Sequence, residues 1–166
     1  MNKIQVPKEW LDIYQCLESN DINNINLIYN THIKNNPIIN TDIYFYPILS
    51  TAAECGHIET LDWLSNIEIF NIDSFQLFLI AAEWGQIDVI KWGILKGYEF
   101  MNQHVLHAVK HGKLEVLEFA VDNVEDSFIF YNELFIKTAV TYDHDNIIQW
   151  YINQGIPIDA NSYKCE

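Results

Sequence analysis

Ala81-Ala82-Glu83-Trp84-Gly85-Gln86-Ile87-Asp88-Val89-Ile90-Lys91-Trp92 decides how the chain is read, because versions of it recur along the sequence. Upstream stands Ala52-Ala53-Glu54-Cys55-Gly56-His57-Ile58-Glu59-Thr60-Leu61-Asp62-Trp63. Downstream come Ala108-Val109-Lys110-His111-Gly112-Lys113-Leu114-Glu115-Val116-Leu117-Glu118-Phe119 and Ala139-Val140-Thr141-Tyr142-Asp143-His144-Asp145-Asn146-Ile147-Ile148-Gln149-Trp150. A fainter copy from Cys16 to Leu27 opens the series, with Cys16-Leu17 for the small pair and Asn20 for the glycine. Two small residues, two variable ones and a glycine read as the end of a helix that lies close to a neighbour, closed by a left-handed residue. Ile87, Ile90 and Ile94 then follow at helical spacing with Asp88 and Lys91 between them, which predicts an amphipathic second helix. One such hairpin cannot bury its apolar face, so the copies are expected to stack as an all-α solenoid of helix-turn-helix units.

Working outward, five units are expected at approximately 7–30, 45–67, 74–97, 102–122 and 130–155, in a single domain spanning 1–166. Pro7 suits a first helical turn, with Trp10, Ile13, Tyr14 and Leu17 on one face. The Asn/Thr-rich stretch from Asn30 to Asp42, with Pro37, reads as the longest loop. Asp73 or Ser74 is placed as a helix N-cap, and Gly97 and Gly155 as the ends of second helices. Asp122 to Asp126 form an acidic connection.

The chain of 166 residues is 49% hydrophobic and 14% aromatic, enough for a core, and no apolar run approaches the roughly 20 residues of a membrane span. Met1 to Lys8 lacks the apolar centre of a secretory signal, and Cys16, Cys55 and Cys165 are an odd, scattered set without Cys-x-x-Cys spacing, so a cytoplasmic location with free thiols is expected. Net charge is −14 and every one of the nine basic residues is lysine. Such a balance disfavours nucleic acid and anionic membranes as partners. It solubilises the surface and can guide a basic protein partner. Ile and Asn make up about a quarter of the chain, a bias that fits an AT-rich coding genome.

The repeated Ala-Ala, two variable residues, Gly-His step seen at Gly56-His57, and the closing Gly155-Ile156-Pro157-Ile158-Asp159-Ala160-Asn161, resemble the ankyrin-repeat pattern. Gly56, Gly85, Gly112 and Asp143 stand 29, 27 and 31 residues apart, shorter than the ankyrin period of about 33. The Thr-Pro-Leu-His helix start is also missing, Gln76 to Leu79 and Gln103 to Leu106 standing in its place. The resemblance therefore implies shortened hairpin fingers, and the Ile/Asn-rich style is similar to ankyrin proteins of amoebal giant DNA viruses and, less closely, of poxviruses. It further implies a non-enzymatic protein-protein interaction module, monomeric and acting in the host cytoplasm if viral. Its protein partner, with a basic and partly apolar segment, is expected on the concave face at the variable pairs Glu54 and Cys55, Glu83 and Trp84, Lys110 and His111, Thr141 and Tyr142. Two alternatives are an adaptor that recruits a host protein to a ubiquitin ligase, weakened by the eleven residues after Gly155, and a self-associating structural protein.

Candidate chemistry is sparse. His104, His107 and His111 share helical spacing and are zinc-capable, yet no cysteine or carboxylate is expected to complete a tight set. They are read as surface or template histidines, and no metal or other cofactor is expected. Cys55 and His57 straddle a helix-ending glycine without an orienting third group. No Gly-rich phosphate loop, Gly-x-Ser-x-Gly or His-Glu-x-x-His occurs, so no catalytic residue is assigned. Trp63, Trp92, Phe119 and Trp150 share one repeat position and are expected to pack unit against unit, with Trp10 doing so in the first unit; Trp84, before its glycine, is expected to face out.

Overall fold

A computed structural model describes residues 6–39, 42–123 and 133–158. Among these, ten α-helices and no strand are found, in the order α1 (Lys8–Glu18), α2 (Ile22–Ile28), α3 (Tyr46–Cys55), α4 (Ile58–Ser65), α5 (Ser74–Trp84), α6 (Ile87–Leu95), α7 (Asn102–Lys110), α8 (Leu114–Asn123), α9 (Glu133–Thr141) and α10 (Asp145–Asn153). The helices form five consecutive hairpins, α1/α2 through α9/α10.

One turn closes all five hairpins. The residue between the helices is left-handed every time: Asn20 at φ 49°, Gly56 at 74°, Gly85 at 74°, Gly112 at 70° and Asp143 at 52°. The amide after it donates to the carbonyl five residues back, as Asp21 to Cys16 (3.0 Å), His57 to Ala52 (2.8 Å), Gln86 to Ala81 (2.8 Å), Lys113 to Ala108 (2.9 Å) and His144 to Ala139 (3.0 Å). This six-to-one bond satisfies a carbonyl that the helix end would otherwise orphan and reverses the chain within a few residues. The acceptor is alanine in four of the five turns, and Ala52, Ala81, Ala108 and Ala139 are fully buried.

The chain divides into two compact units, Met1–Asp73 and Ser74–Glu166. In the first, α1 packs on α3 and α2 on α4, giving two layers. Thr60 Oγ1 donates to Asn20 Oδ1 at 2.8 Å, joining α4 to the α1–α2 turn. Phe45 sits at the centre of an aromatic cluster, edge-on to Trp10 at 4.8 Å and tilted against Phe70 at 5.3 Å, while Tyr29 meets Trp63 edge-on at 5.4 Å. The long loop expected from Asn30 is shorter than the composition suggested. Tyr29–Ile33 continues α2 as a π-helical turn because Tyr29 and Ile33 are both buried. Trp10 Nε1 donates to the Ile39 carbonyl at 2.7 Å and Tyr14 Oη to the Tyr44 carbonyl at 3.0 Å, fastening the connection to α1. Burial foremost, then Tyr44, pushes the Tyr14 phenol up to about 12.

In the second unit α5 packs on α7 and α7 on α9, with α6 packing on α8 beside them and α10 completing the last hairpin against α9. Val105, Val109, Leu117, Ala120, Phe135, Ile136, Ala139, Ile147 and Tyr151 form a continuous core. The second-helix faces differ from expectation. Ile90 is buried but Ile94 is 41% exposed, and Val89 takes its place inside. The wholly buried columns are Thr60, Val89, Val116 and Ile147, and beside them Ile25, Leu61, Ile90 and Leu117. Of the four ladder aromatics only Trp92 is buried, at 7% exposure, while Trp63, Phe119 and Trp150 are half-buried. These three rings lie at the margin of the interior rather than within it. Gly93 marks a close contact within one hairpin, since a Cβ there would stand 2.6 Å from the Phe78 ring on α5.

Helix ends fall close to the expected unit limits, with Ser74 starting α5 and left-handed Gly97 and Gly155 following α6 and α10. The connection from 66 to 73 and that from 96 to 101 contain no hairpin strands. The acidic connection beyond Asn123, the start of the fifth expected unit, Asp159 to Asn161 and Cys165 lie outside the described residues.

His104 corrects another expectation, since it is fully buried rather than a surface histidine. The Met101 amide donates to its Nδ1 at 2.9 Å, which leaves the proton on Nε2 among Phe75, Phe78 and Phe100, with ring centroids 4.9, 5.4 and 5.5 Å away. Burial first, and His107 second, lower its pKa to about 4.

Two outcomes follow. Above pH 6.5 the His104 ring is neutral folded or unfolded; as pH falls from there toward 4 only the unfolded chain takes the proton, so stability is lost. Urea unfolding at pH 7 and pH 5 is expected to differ by about 1–2 kcal/mol from this group, and His104→Asn, which keeps an acceptor for the Met101 amide, removes that part. Second, Gly97 and Gly112 are both left-handed, but an added Cβ at Gly97 meets nothing within 4 Å whereas at Gly112 it stands 2.7 Å from His144 Nδ1. Gly97→Ala should cost about 1 kcal/mol and Gly112→Ala about 2–3 kcal/mol by the same unfolding measurement.

Candidate functional site

The variable pairs end the first helices, where the left-handed turn directs the chain away and leaves the last helical side chains at the margin of the packed layer. Glu83 and Trp84 close α5, Lys110 and His111 close α7, and Thr141 and Tyr142 close α9, all in the second unit. Because α7 lies against both α5 and α9, these ends form one strip. Glu54 and Cys55 close α3 in the first unit, Glu54 half-buried and Cys55 exposed with a free thiol.

Trp84 is 52% exposed and Tyr142 48% exposed. Lys110 and Thr141 are exposed too, and Glu83 and His111 half-buried. Between α7 and α9 runs an open groove lined by Gln103, Leu106, His107, Lys110, Thr138 and Tyr142. The Lys110 ammonium stands 5.6 Å from the Tyr142 ring centroid, and Tyr142 stacks on His144 at 6.2 Å, so the cation and two rings hold each other in place. His144 Nε2 donates to the Lys110 carbonyl at 2.7 Å and Asn146 Nδ2 to the Gly112 carbonyl at 3.0 Å, tying the fifth hairpin's turn to the fourth's.

On the α5 side of the strip the structure adds a member that the repeat pattern alone did not supply. His107 and His111 project from one face of α7 with ring centroids 4.6 Å apart, and the Glu83 carboxylate reaches both, Oε2 lying 3.4 Å from His107 Nε2 and Oε1 3.8 Å from His111 Nδ1. The expectation that no carboxylate completes a set with these histidines is thus overturned, because the neighbouring helix supplies Glu83. His104, three residues before His107, is turned into the core and takes no part. Burial is the main influence lowering the His111 pKa; Glu83 opposes it, and His107, Lys110 and His144 reinforce it. The helical spacing of the histidines was visible in sequence; the missing signal was that Glu83, 24 residues before His107, lies on the helix packed against them.

His57, two residues after Cys55, has its Nδ1 buried without a hydrogen-bond partner. The Cys16 thiol is pushed up by burial first, and then by Asp21 and Asp12, which disfavours the thiolate. Among the described residues no helix is long and apolar enough to cross a membrane. No family model matches the chain, and neither a curated protein nor a solved structure is found similar to it.

The contrast between the two tryptophans is measurable. Trp92→Ala is expected to cost about 3–5 kcal/mol, and Trp84→Ala under about 1 kcal/mol, in chemical unfolding. Equal losses at the two positions would contradict their different exposure.

Proposed function

We propose that this protein is a divergent ankyrin-like binding module that grips a protein partner through the ends of its first helices. The observation that carries the reading is the strip in the second unit, where Trp84 and Tyr142 stand half-exposed at the ends of α5 and α9, beside the buried Ala81, Ala82, Ala139 and Val140. Large rings held on rigid helix ends lose little conformational freedom on binding, and interface energy concentrates on such anchors. Five hairpins closed by one turn, with small buried residues before it, support the repeat reading. Connections without strands at 66–73 and 96–101 leave the helix ends, rather than hairpin fingers, to make the contact.

Charge specifies the partner. With net charge −14, a basic segment is drawn in, and its apolar side chains would cover Trp84 and Tyr142. Glu54 and Cys55 offer the equivalent position in the first unit, and no chemistry of the chain's own is invoked.

The test is a pull-down from host-cell extract followed by affinity measurement with the purified partner. Trp84→Ala should weaken binding by about tenfold or more, equivalent to about 1.4 kcal/mol, and added salt should slow association. Glu59→Lys, at an exposed position of α4, should leave the affinity within about twofold, RT ln 2 being under half a kcal/mol. If Trp84→Ala binds like wild type while Glu59→Lys does not, the second helices carry the function instead.

A further inference from the structure

We propose that Glu83, His107 and His111 form a binding site for a divalent transition-metal ion of the zinc class. The site lies within the second unit and needs no partner, so it stands independently of the protein-binding reading.

The geometry is built by two packed helices. His107 and His111, four residues apart, fall on the same face of α7, and α5 lays the Glu83 carboxylate over both rings. One ligand atom from each residue can be chosen so that all lie within 4.8 Å of one another, and all three side chains are half-buried. The carboxylate-imidazole separations of 3.4 and 3.8 Å are too long for good hydrogen bonds, which run from about 2.7 to 3.2 Å. They are close to what a shared ion requires: with Zn–N bonds of about 2.0–2.1 Å, tetrahedral ligand atoms stand about 3.3 Å apart. Small side-chain rotations bring the donors onto one centre.

The donor set selects the ion. Two imidazoles and a carboxylate suit Zn²⁺, Co²⁺, Ni²⁺ or Cu²⁺, whereas Ca²⁺ and Mg²⁺ favour all-oxygen shells. A carboxylate and a doubly charged ion leave one net positive charge, milder than a bare cation against neighbouring Lys110. The Lys110 ammonium is turned toward Tyr142, and His144 Nε2 is engaged by the Lys110 carbonyl, so neither occupies the space between the three ligands. Partial exposure of the three side chains leaves room for water as the fourth ligand. Binding would clamp the end of α5 to the end of α7.

The test uses the full chain, freed of metal by chelator and dialysed. Calorimetric titration with Zn²⁺ is expected to show one equivalent bound with a Kd below about 100 µM, a higher melting temperature, and no response to Mg²⁺ or Ca²⁺. Co²⁺ should give the visible band of a four-coordinate ion. His107→Ala, His111→Ala and Glu83→Gln should each weaken Zn²⁺ binding by about tenfold or more, and His32→Ala, on the first unit, should not. Far-UV circular dichroism checks that the variants keep their helices. A readout free of variants is the histidine ring NMR spectrum of wild type during Zn²⁺ titration, in which the His107 and His111 signals should move. No stoichiometric binding, retained binding in the His107→Ala/His111→Ala double variant, or ring signals moving only at other histidines would overturn the proposal.

Discussion

The left-handed turn between paired helices is the constraint on which the rest of this structure depends. Its six-to-one hydrogen bond returns the chain immediately, so the second helix of each hairpin must lie against the first. The carbonyl that accepts this bond belongs to alanine in four of five turns. Small residues there let the next first helix come close, which is how α7 can lie against both α5 and α9. A bulky residue at Ala81 or Ala108 would therefore disturb packing and turn together.

The same close approach explains where glycine is required and where it is only convenient. Asn20 and Asp143 take the left-handed conformation because short polar side chains tolerate it. Gly112 cannot be exchanged so readily, since His144 from the following turn rests on it on the way to the Lys110 carbonyl. Gly93 has ordinary helical geometry, and its lack of a side chain serves packing alone, admitting the Phe78 ring. Large and small residues are thus traded across the helix layers, Phe78 against Gly93 and Tyr151 among the smaller members of the second unit's core.

Placing variable residues at helix ends beside this rigid turn separates the exposed positions from those that hold the core. The alanines and the Val and Ile columns are inaccessible, while Trp84, Lys110, Thr141 and Tyr142 reach solvent from backbone that the turn has already fixed. Side chains there can change without disturbing the core. The Glu83, His107 and His111 cluster shares that location, which is why two half-buried imidazoles and a carboxylate can meet without opening the interior.

Sequence by itself determined the hairpins, because turn chemistry and helical spacing are local: the Ala-Ala-x-x-Gly step fixed where first helices end, and Gly97 and Gly155 where second helices do. It also marked Trp84 as outward-facing, from its place beside the glycine. Tertiary structure decided what depends on neighbours. The aromatic column was expected inside, but only Trp92 is buried, since how far a ring is covered depends on the side chains that surround it and not on its own hydrophobicity. The Asn-rich stretch after Tyr29 was expected to be loop, yet burial of Ile33 and the Trp10 bond to Ile39 organise it. His104, His107 and His111 are alike in sequence spacing and diverge in fate. One ring is sealed among phenylalanines and two meet Glu83, because the helix packed on each face, and not the helix that carries them, determines what a side chain encounters.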